Sequence, residues 1–243
     1  MGALFEELDW RPTRMGELSL RRRRDPLSGT QVYEIKLDDD FLMSSLWTEG
    51  EVELARLGLA AAPGAELDVV VGGLGLGYTA EAALDDDRVR SLTVVEALAE
   101  VIEWHENGLV PNGDRLVSDP RCALVEGDFF AMAGSPSGLD SQGEGRRFHA
   151  VLVDIDHSPR HLLNSDHASF YQPDNLRRLA DQLHPGGVFA LWSNAAPDTD
   201  FRAVLGEVFP QVKVHVVEFP NPVQGGTAAN TVYVANTTPA PTR

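Results

Sequence analysis

The apolar run Val69-Val70-Val71 passes directly into Gly72-Gly73-Leu74-Gly75-Leu76-Gly77. A short β-branched run of this kind predicts a strand covered on both faces. The glycines that follow predict a tight turn whose backbone approaches another group closely. Residues 78–84 then carry a helical pattern, so the N–H groups of the loop lie at a helix N-terminus, where polar and anionic ligands are favoured. Alone, the unit also fits a βα turn with no ligand, because many α/β proteins use one for close helix packing.

The rest of the chain repeats the alternation. Strand patterns at residues 91–95, 122–125, 149–153 and 188–192 are interleaved with helical patterns at 97–107, 170–183 and 199–209. Such alternation predicts an α/β fold, a doubly wound Rossmann-like seven-stranded sheet with helices on both faces. Strand patterns at 213–217 and 231–235 have no helix between them, so one should run antiparallel at the edge. Pro63-Gly64 marks a boundary. Residues 1–62 then form an N-terminal β-hairpin and helix, residues 63–236 a nucleotide-binding transferase domain, and residues 237–243 a disordered tail. The hairpin pairs residues 17–22 with 31–37 around the turn cluster 25–29. Its helix starts at Thr48, with Glu51 as the capping-box partner, and runs to about residue 60. The basic run 21–24 reads as a solvated strand end, and residues 134–145 as a mobile surface loop.

The 243-residue chain is 43% hydrophobic and carries a formal net charge of -17. Its size suits one α/β domain with a small extension. The negative field repels phosphate backbones, which argues against a nucleic-acid partner and favours small cations. No apolar run approaches the roughly 20 residues that span a bilayer, so no membrane partner is expected. The N-terminal sequence lacks a secretory pattern, and Cys122 is the sole cysteine, which together suit a cytoplasmic protein.

Chemistry-bearing residues recur at successive strand ends. Glu96 closes the second strand of the domain, about 20 residues after the glycines, where a carboxylate accepts both ribose hydroxyls. Gly127-Asp128-Phe129 closes the third. There Asp128 can accept from an adenine amino group and Phe129 can cover the ring, although Asp128 also suits a helix N-cap. The turn Leu183-His184-Pro185-Gly186-Gly187 leads into the fifth strand and marks the fold.

Together these segments resemble the class I S-adenosylmethionine-dependent methyltransferase fold over about residues 67–235. The hairpin and helix, the Gly72-Gly73 start, the Gly127-Asp128 pair and the aspartate ending the fourth strand narrow the resemblance. They are similar to the spermidine synthase family over roughly residues 15–235. That resemblance implies polyamine biosynthesis: transfer of an aminopropyl group from decarboxylated S-adenosylmethionine to a small amine. It also implies nucleotide contacts at Gly72, Gly73, Gly75, Gly77, Glu96, Gly127, Asp128 and Phe129. Three departures stand out. Gly75 occupies the position of the family's loop aspartate. The fourth strand ends Asp154-Ile155-Asp156-His157-Ser158-Pro159, with histidine where the family has a second aspartate. The family's Tyr-His-Glu is not evident around Gly50-Glu51-Val52.

An amine acceptor must lose a proton before it attacks, and a carboxylate at the strand ends can take it. Asp154 is the first candidate base, followed by Asp156 and His157. Trp192 and Asn194 should line the acceptor side, with Trp47 reaching over from the N-terminal segment. His161 and His167 read as surface residues. Their spacing with Asp156 and Asp166 matches no metal-ligand pattern, so no metal is expected. The runner-up activity is small-molecule methyl transfer from intact S-adenosylmethionine. A third reading is an inactive nucleotide-binding relative acting as a binding or dimerisation module. A homodimer is compatible with each reading. An NAD-dependent dehydrogenase fits the glycine loop but not the Gly127-Asp128 and Pro185-Gly186-Gly187 markers.

Overall fold

The computed structural model describes residues 5–140, 145–221 and 225–239. The central sheet is built from β5 (Leu67–Gly72), β6 (Val89–Glu96), β7 (Cys122–Glu126), β8 (Phe148–Val153), β9 (Leu183–Ser193), β10 (Gln211–Pro220) and β11 (Thr227–Asn236). Their spatial order is β10-β11-β9-β8-β5-β6-β7. The pairs from β7 across to β9 are parallel, and β11 runs antiparallel to both β9 and β10. The antiparallel strand is therefore β11, inserted second from the edge rather than at it. The chain leaves β5 towards β6 and later returns to β8 on the other side. The C-terminal ends of β5 and β8 thus form a topological switch point, where this architecture opens a crevice.

Alternation along β5 explains the two-sided core. Val69 and Val71 pack with α1 (Glu49–Ala61), α2 (Tyr78–Leu84) and α3 (Ala99–Glu106), whereas Val70 faces the opposite layer. That layer includes α5 (Phe129–Gly134), α6 (Pro173–Ala180) and α7 (Thr199–Gly206). A short α4 (Gly113–Ser118) precedes β7. Gly58 lets α1 lie close on the sheet, because a Cβ there would stand 2.6 Å from Leu152 Cδ2.

The N-terminal segment is larger than a hairpin. It forms a four-stranded antiparallel sheet of β1 (Phe5–Thr13), β2 (Gly16–Arg24), β3 (Gln31–Leu37) and β4 (Asp40–Ser44). Leu18, Leu20, Ile35 and Leu37 from this sheet join the α1–α3 side of the core. The basic run lies on β2, where Arg21, Arg22 and Arg23 pair with Glu7, Glu6 and Glu34.

Local expectations fail where tertiary contacts compete. Thr48 stands at the N-cap of α1 without a side-chain capping bond, and the buried Glu51 carboxyl is not a capping partner. Instead Glu51 turns into the cavity described below. The predicted surface loop after α5 sends Leu139 into the core and its N–H to Gln182 Oε1 at 2.7 Å, while residues 141–144 lie outside the described residues. Residues 237 and 238, read from sequence as part of a disordered tail, are hydrogen-bonded to β9. Thr237 donates its N–H to the Gly187 carbonyl at 2.9 Å, and Gly186 donates to the Thr238 carbonyl at 3.0 Å. Residues 240–243 fall outside the described residues. Among the described residues, no helix is long and apolar enough to cross a membrane.

Candidate active site

A cavity of about 310 Å³ opens at the switch point. The central sheet supplies its floor through Gly73, Gly75, Glu96, Gly127, Asp128 and Asp154. The N-terminal sheet covers it with Met15, Ile35, Leu37, Leu42 and Met43, and α1 contributes Glu51. The small sheet is therefore part of the site.

The glycine loop is shaped by contacts that side chains would break. Gly73 has φ +94, and a Cβ there would stand 2.1 Å from the Asp154 carbonyl oxygen. Gly75 has φ +48, and a Cβ there would stand 2.5 Å from Met43 Sδ. That sulfur accepts the Leu76 N–H at 3.0 Å. A residue of β4 thus stands against the loop position where the resembling family has an acid. Gly72 and Gly77 do not line the cavity. Gly72 lies over the Phe129 ring, and Gly77 is the N-cap of α2, packed against Leu116 and His105.

Glu96 ends β6, half-buried at the cavity wall. The N–H of Leu74 donates to Oε2 at 3.0 Å and that of Leu98 to Oε1 at 2.9 Å. Burial pushes its carboxyl up from the usual range, against the pull of these donors. The N–H groups of Gly75 and Ala97 also point to this carboxylate. At the next strand end Asp128 caps α5, accepting the Ala131 N–H at 3.1 Å, and also lines the cavity. Phe129 contributes mainly from the core beneath Gly72, while the half-buried Phe130 beside it also lines the cavity.

Asp154 ends β8. The Thr79 hydroxyl donates to its Oδ2 at 2.7 Å, and burial raises its carboxyl to about 6. Glu51 is raised to about 8, first by burial and then by the charge of Asp154. Tyr78 and Trp192 line the same region, and the buried Trp192 indole N–H has no partner among the described residues. Gly50 makes room for that indole, since a Cβ there would stand 2.4 Å from its Nε1.

The predicted acid–base residues separate. His157 lines the cavity, its ring 4.8 Å from that of His161, and burial lowers its pKa. Asp156 does not line the cavity. Its buried carboxylate accepts from Leu163 N–H at 2.7 Å, His167 Nδ1 at 2.9 Å and the Tyr171 hydroxyl at 2.8 Å. His167, read from sequence as a surface residue, is mostly buried and lines the cavity. Trp47 and Asn194 stand outside the lining. The Asn194 amide oxygen accepts from Asn230 at 3.1 Å.

Glu51, Tyr78, Met43, Phe130 and His167 are among the cavity residues that sequence reasoning missed. The only signal for Glu51 was an acid beside Gly50 in a helix whose inner face is otherwise apolar.

At the opposite end of the strands, Asp68, His149 and His184 bring potential ligand atoms within 4.8 Å of one another. The Asp68 carboxylate is already held by Arg90, Arg146 and Ser91, so two guanidiniums oppose a cation there. We read this cluster as an ion-pair network.

The architecture is that of spermidine synthases and class I methyltransferases, with a small N-terminal sheet over the crevice. No family model matches this chain, and no curated protein matches its sequence. Solved structures do. A spermidine synthase from Thermotoga maritima aligns with TM-score 0.71 at 16% identity, over 96% of this chain and 73% of its own. A probable spermidine synthase from Corynebacterium glutamicum aligns with TM-score 0.60 at 16% identity, over 95% of this chain and 79% of its own. Human methyltransferase-like protein 13, in complex with SAH, aligns with TM-score 0.54 at 19% identity, over 80% of this chain and 82% of its own.

Proposed function

We propose that this chain is a transferase that holds an S-adenosylmethionine-type nucleotide and moves an aminopropyl group to a small amine. The observation that carries the reading is one cavity with the Glu96 carboxylate on one side and the acids Glu51 and Asp154 on another, all three held above the usual carboxylate range. The residues fit an adenosyl nucleotide: Glu96 presents a carboxylate to the cavity at the strand end suited to a ribose, and Asp128 and Phe130 stand one strand further out for the base. A solved spermidine synthase holds the transition-state analogue AdoDATO, and aligns with TM-score 0.71 at 17% identity over 96% of this chain and 74% of its own.

When bound, the nucleotide supplies a carbon already activated by its sulfonium. The protein has to orient the amine and keep it neutral at the moment of attack. Asp154, raised to about 6, is better matched to accept an ammonium proton near neutral pH than an exposed aspartate. Glu51, raised to about 8, is mostly protonated in the absence of a cation, and an ammonium between the two acids favours their ionised forms. Tyr78 and the Trp192 ring offer apolar surface to the methylenes of the amine.

A second reading, methyl transfer from intact S-adenosylmethionine, is favoured by one feature. The loop carries Gly75 against Met43 rather than an acid that would repel the extra carboxylate. Calorimetric titration with 5′-methylthioadenosine, followed by mass spectrometry of reactions of each nucleotide with a panel of diamines, tests both. Absence of nucleoside binding sinks the nucleotide reading. Binding with a methylated product and no aminopropylated one favours the second.

A further inference from the structure

We propose that His167 is a specificity-determining residue that reads the exocyclic amine of the nucleobase and so selects a 6-amino over a 6-oxo purine. The inference rests on the nucleotide reading above and deepens it. His167 lies in the short 3₁₀ turn Ser165–Ser169, between the end of β8 and α6. Its ring stands 4.0 Å from that of Phe130 at an angle of 32°. Phe130 follows Asp128 and Phe129, so this aromatic pair belongs to the β7 end of the crevice. Glu96, on β6, lies between it and the glycine loop. A nucleoside whose ribose is held at Glu96, with its sulfur towards Asp154, therefore places its base against Asp128, Phe130 and His167.

The hydrogen bond of the other ring nitrogen fixes what His167 offers. Its Nδ1 stands 2.9 Å from Oδ1 and 3.2 Å from Oδ2 of Asp156. That carboxylate is fully buried and already accepts from Leu163 N–H and the Tyr171 hydroxyl. An ionised carboxylate only accepts, so Nδ1 must carry the proton. In the neutral ring Nε2 is then an acceptor with no competing tautomer, the logic by which a buried carboxylate orients a catalytic or metal-binding imidazole. Among the described residues Nε2 has no hydrogen-bond partner, and it is not enclosed by protein. The 6-amino group of adenine has two hydrogens, one for His167 Nε2 and one for Asp128. A 6-oxo purine would place its own lone pairs against both acceptors. A site built around fixed acceptors rejects an analogue that cannot donate, because its polar groups are left unpaired.

The test compares 5′-methylthioadenosine with 5′-methylthioinosine by calorimetry at alkaline pH. Wild type should prefer the adenosine form by about tenfold or more. His167→Phe keeps a ring on Phe130 but removes the acceptor, and should shrink that preference several-fold. His167→Gln can donate its amide N–H to Asp156 and present its Oε1, and should restore part of it. Should His167→Phe fold poorly, ¹⁵N-histidine spectra of wild type provide a second measurement. They should show the Nδ1–H tautomer, with an Nε2 shift on adding the adenosine form. Three outcomes overturn the proposal: an unchanged preference in a folded His167→Phe protein, an Nε2 that does not respond to the nucleoside, or equal binding of both nucleosides by wild type. If wild type binds neither nucleoside, the nucleotide reading fails as well, which is distinct from tight but indiscriminate binding.

Discussion

The charge of Asp154, at the end of β8, reaches the carboxyl of Glu51, in the first turn of α1, and helps raise it to about 8. Thr79 links the two segments, with its hydroxyl 2.7 Å from Asp154 Oδ2 and 3.3 Å from the Glu51 backbone carbonyl oxygen. Both acids bind a proton more tightly in the folded chain than their ordinary values of 4.5 and 3.8 imply. Their contribution to stability is therefore complete below about pH 4 and is lost as pH rises through about 6 to 8. Glu51→Gln should flatten the fall in Tm over that window and unfold at a higher temperature than wild type at pH 8. Scanning calorimetry across pH checks this, and identical profiles would contradict the burial of Glu51.

Asp154→Asn keeps the shape and the Thr79 hydroxyl contact but removes the basicity. Turnover with the accepted amine should fall by about 10²-fold or more, the usual scale for a positioned base. Affinity for 5′-methylthioadenosine should change only a few-fold. A variant that turns over at the wild-type rate moves the base to His157.

Glu96→Gln retains one oxygen for the backbone N–H groups around it and loses the charge. Binding of 5′-methylthioadenosine should weaken by about 1–3 kcal/mol, the scale of hydrogen bonds to a charged group. Titration of a folded variant with unchanged affinity would remove Glu96 from the ribose.

Asp156 is an anchor rather than an acid poised for chemistry. Asp156→Ala leaves the Leu163 N–H and the Tyr171 hydroxyl without their acceptor in a buried setting. A loss of about 2–5 kcal/mol in denaturant unfolding is expected, as for broken buried networks. Tyr171→Phe removes one donor and should cost about 1 kcal/mol.

Introducing an acid at Gly75 alone is a poor test of nucleotide choice, since a side chain there meets Met43 Sδ at φ +48. The double variant Met43→Ala, Gly75→Asp clears the space. It should bind intact S-adenosylmethionine more weakly than the Met43→Ala protein does, with the decarboxylated form spared. Equal weakening of both in a titration would show that the loop does not face the carboxylate.

The sheet was legible because it rests on periodicity: β5, β6, β8 and β9 fall on apolar runs, and their parallel direction follows from alternation with helices. Strand β1 was not. Its sequence FEELDWRPT mixes charge with a proline, which suits an outer strand paired on one side but carries no clear alternation. Strand β4 is short and follows a run of aspartates. In the site, Glu96 and Asp154 were readable because strand ends are defined by local pattern. Glu51 was misread because a capping rule sees four residues, whereas its carboxyl is drawn inward by the geometry of α1 against β8 and β9. His167 escaped because its partner Asp156 lies across an irregular segment whose folding no periodicity predicts.

The sulfur of Met43 on the glycine loop has a further meaning. Under the proposed function, the surface that would meet the tail of the nucleotide is carried on a strand of the small sheet, outside the doubly wound core. Substitutions there would then retune which tail is accepted while leaving the proposed ribose and base contacts untouched. In an evolving lineage, choice of donor and grip on the nucleoside can drift separately. A change of reaction would then require altering the roof rather than rebuilding the house.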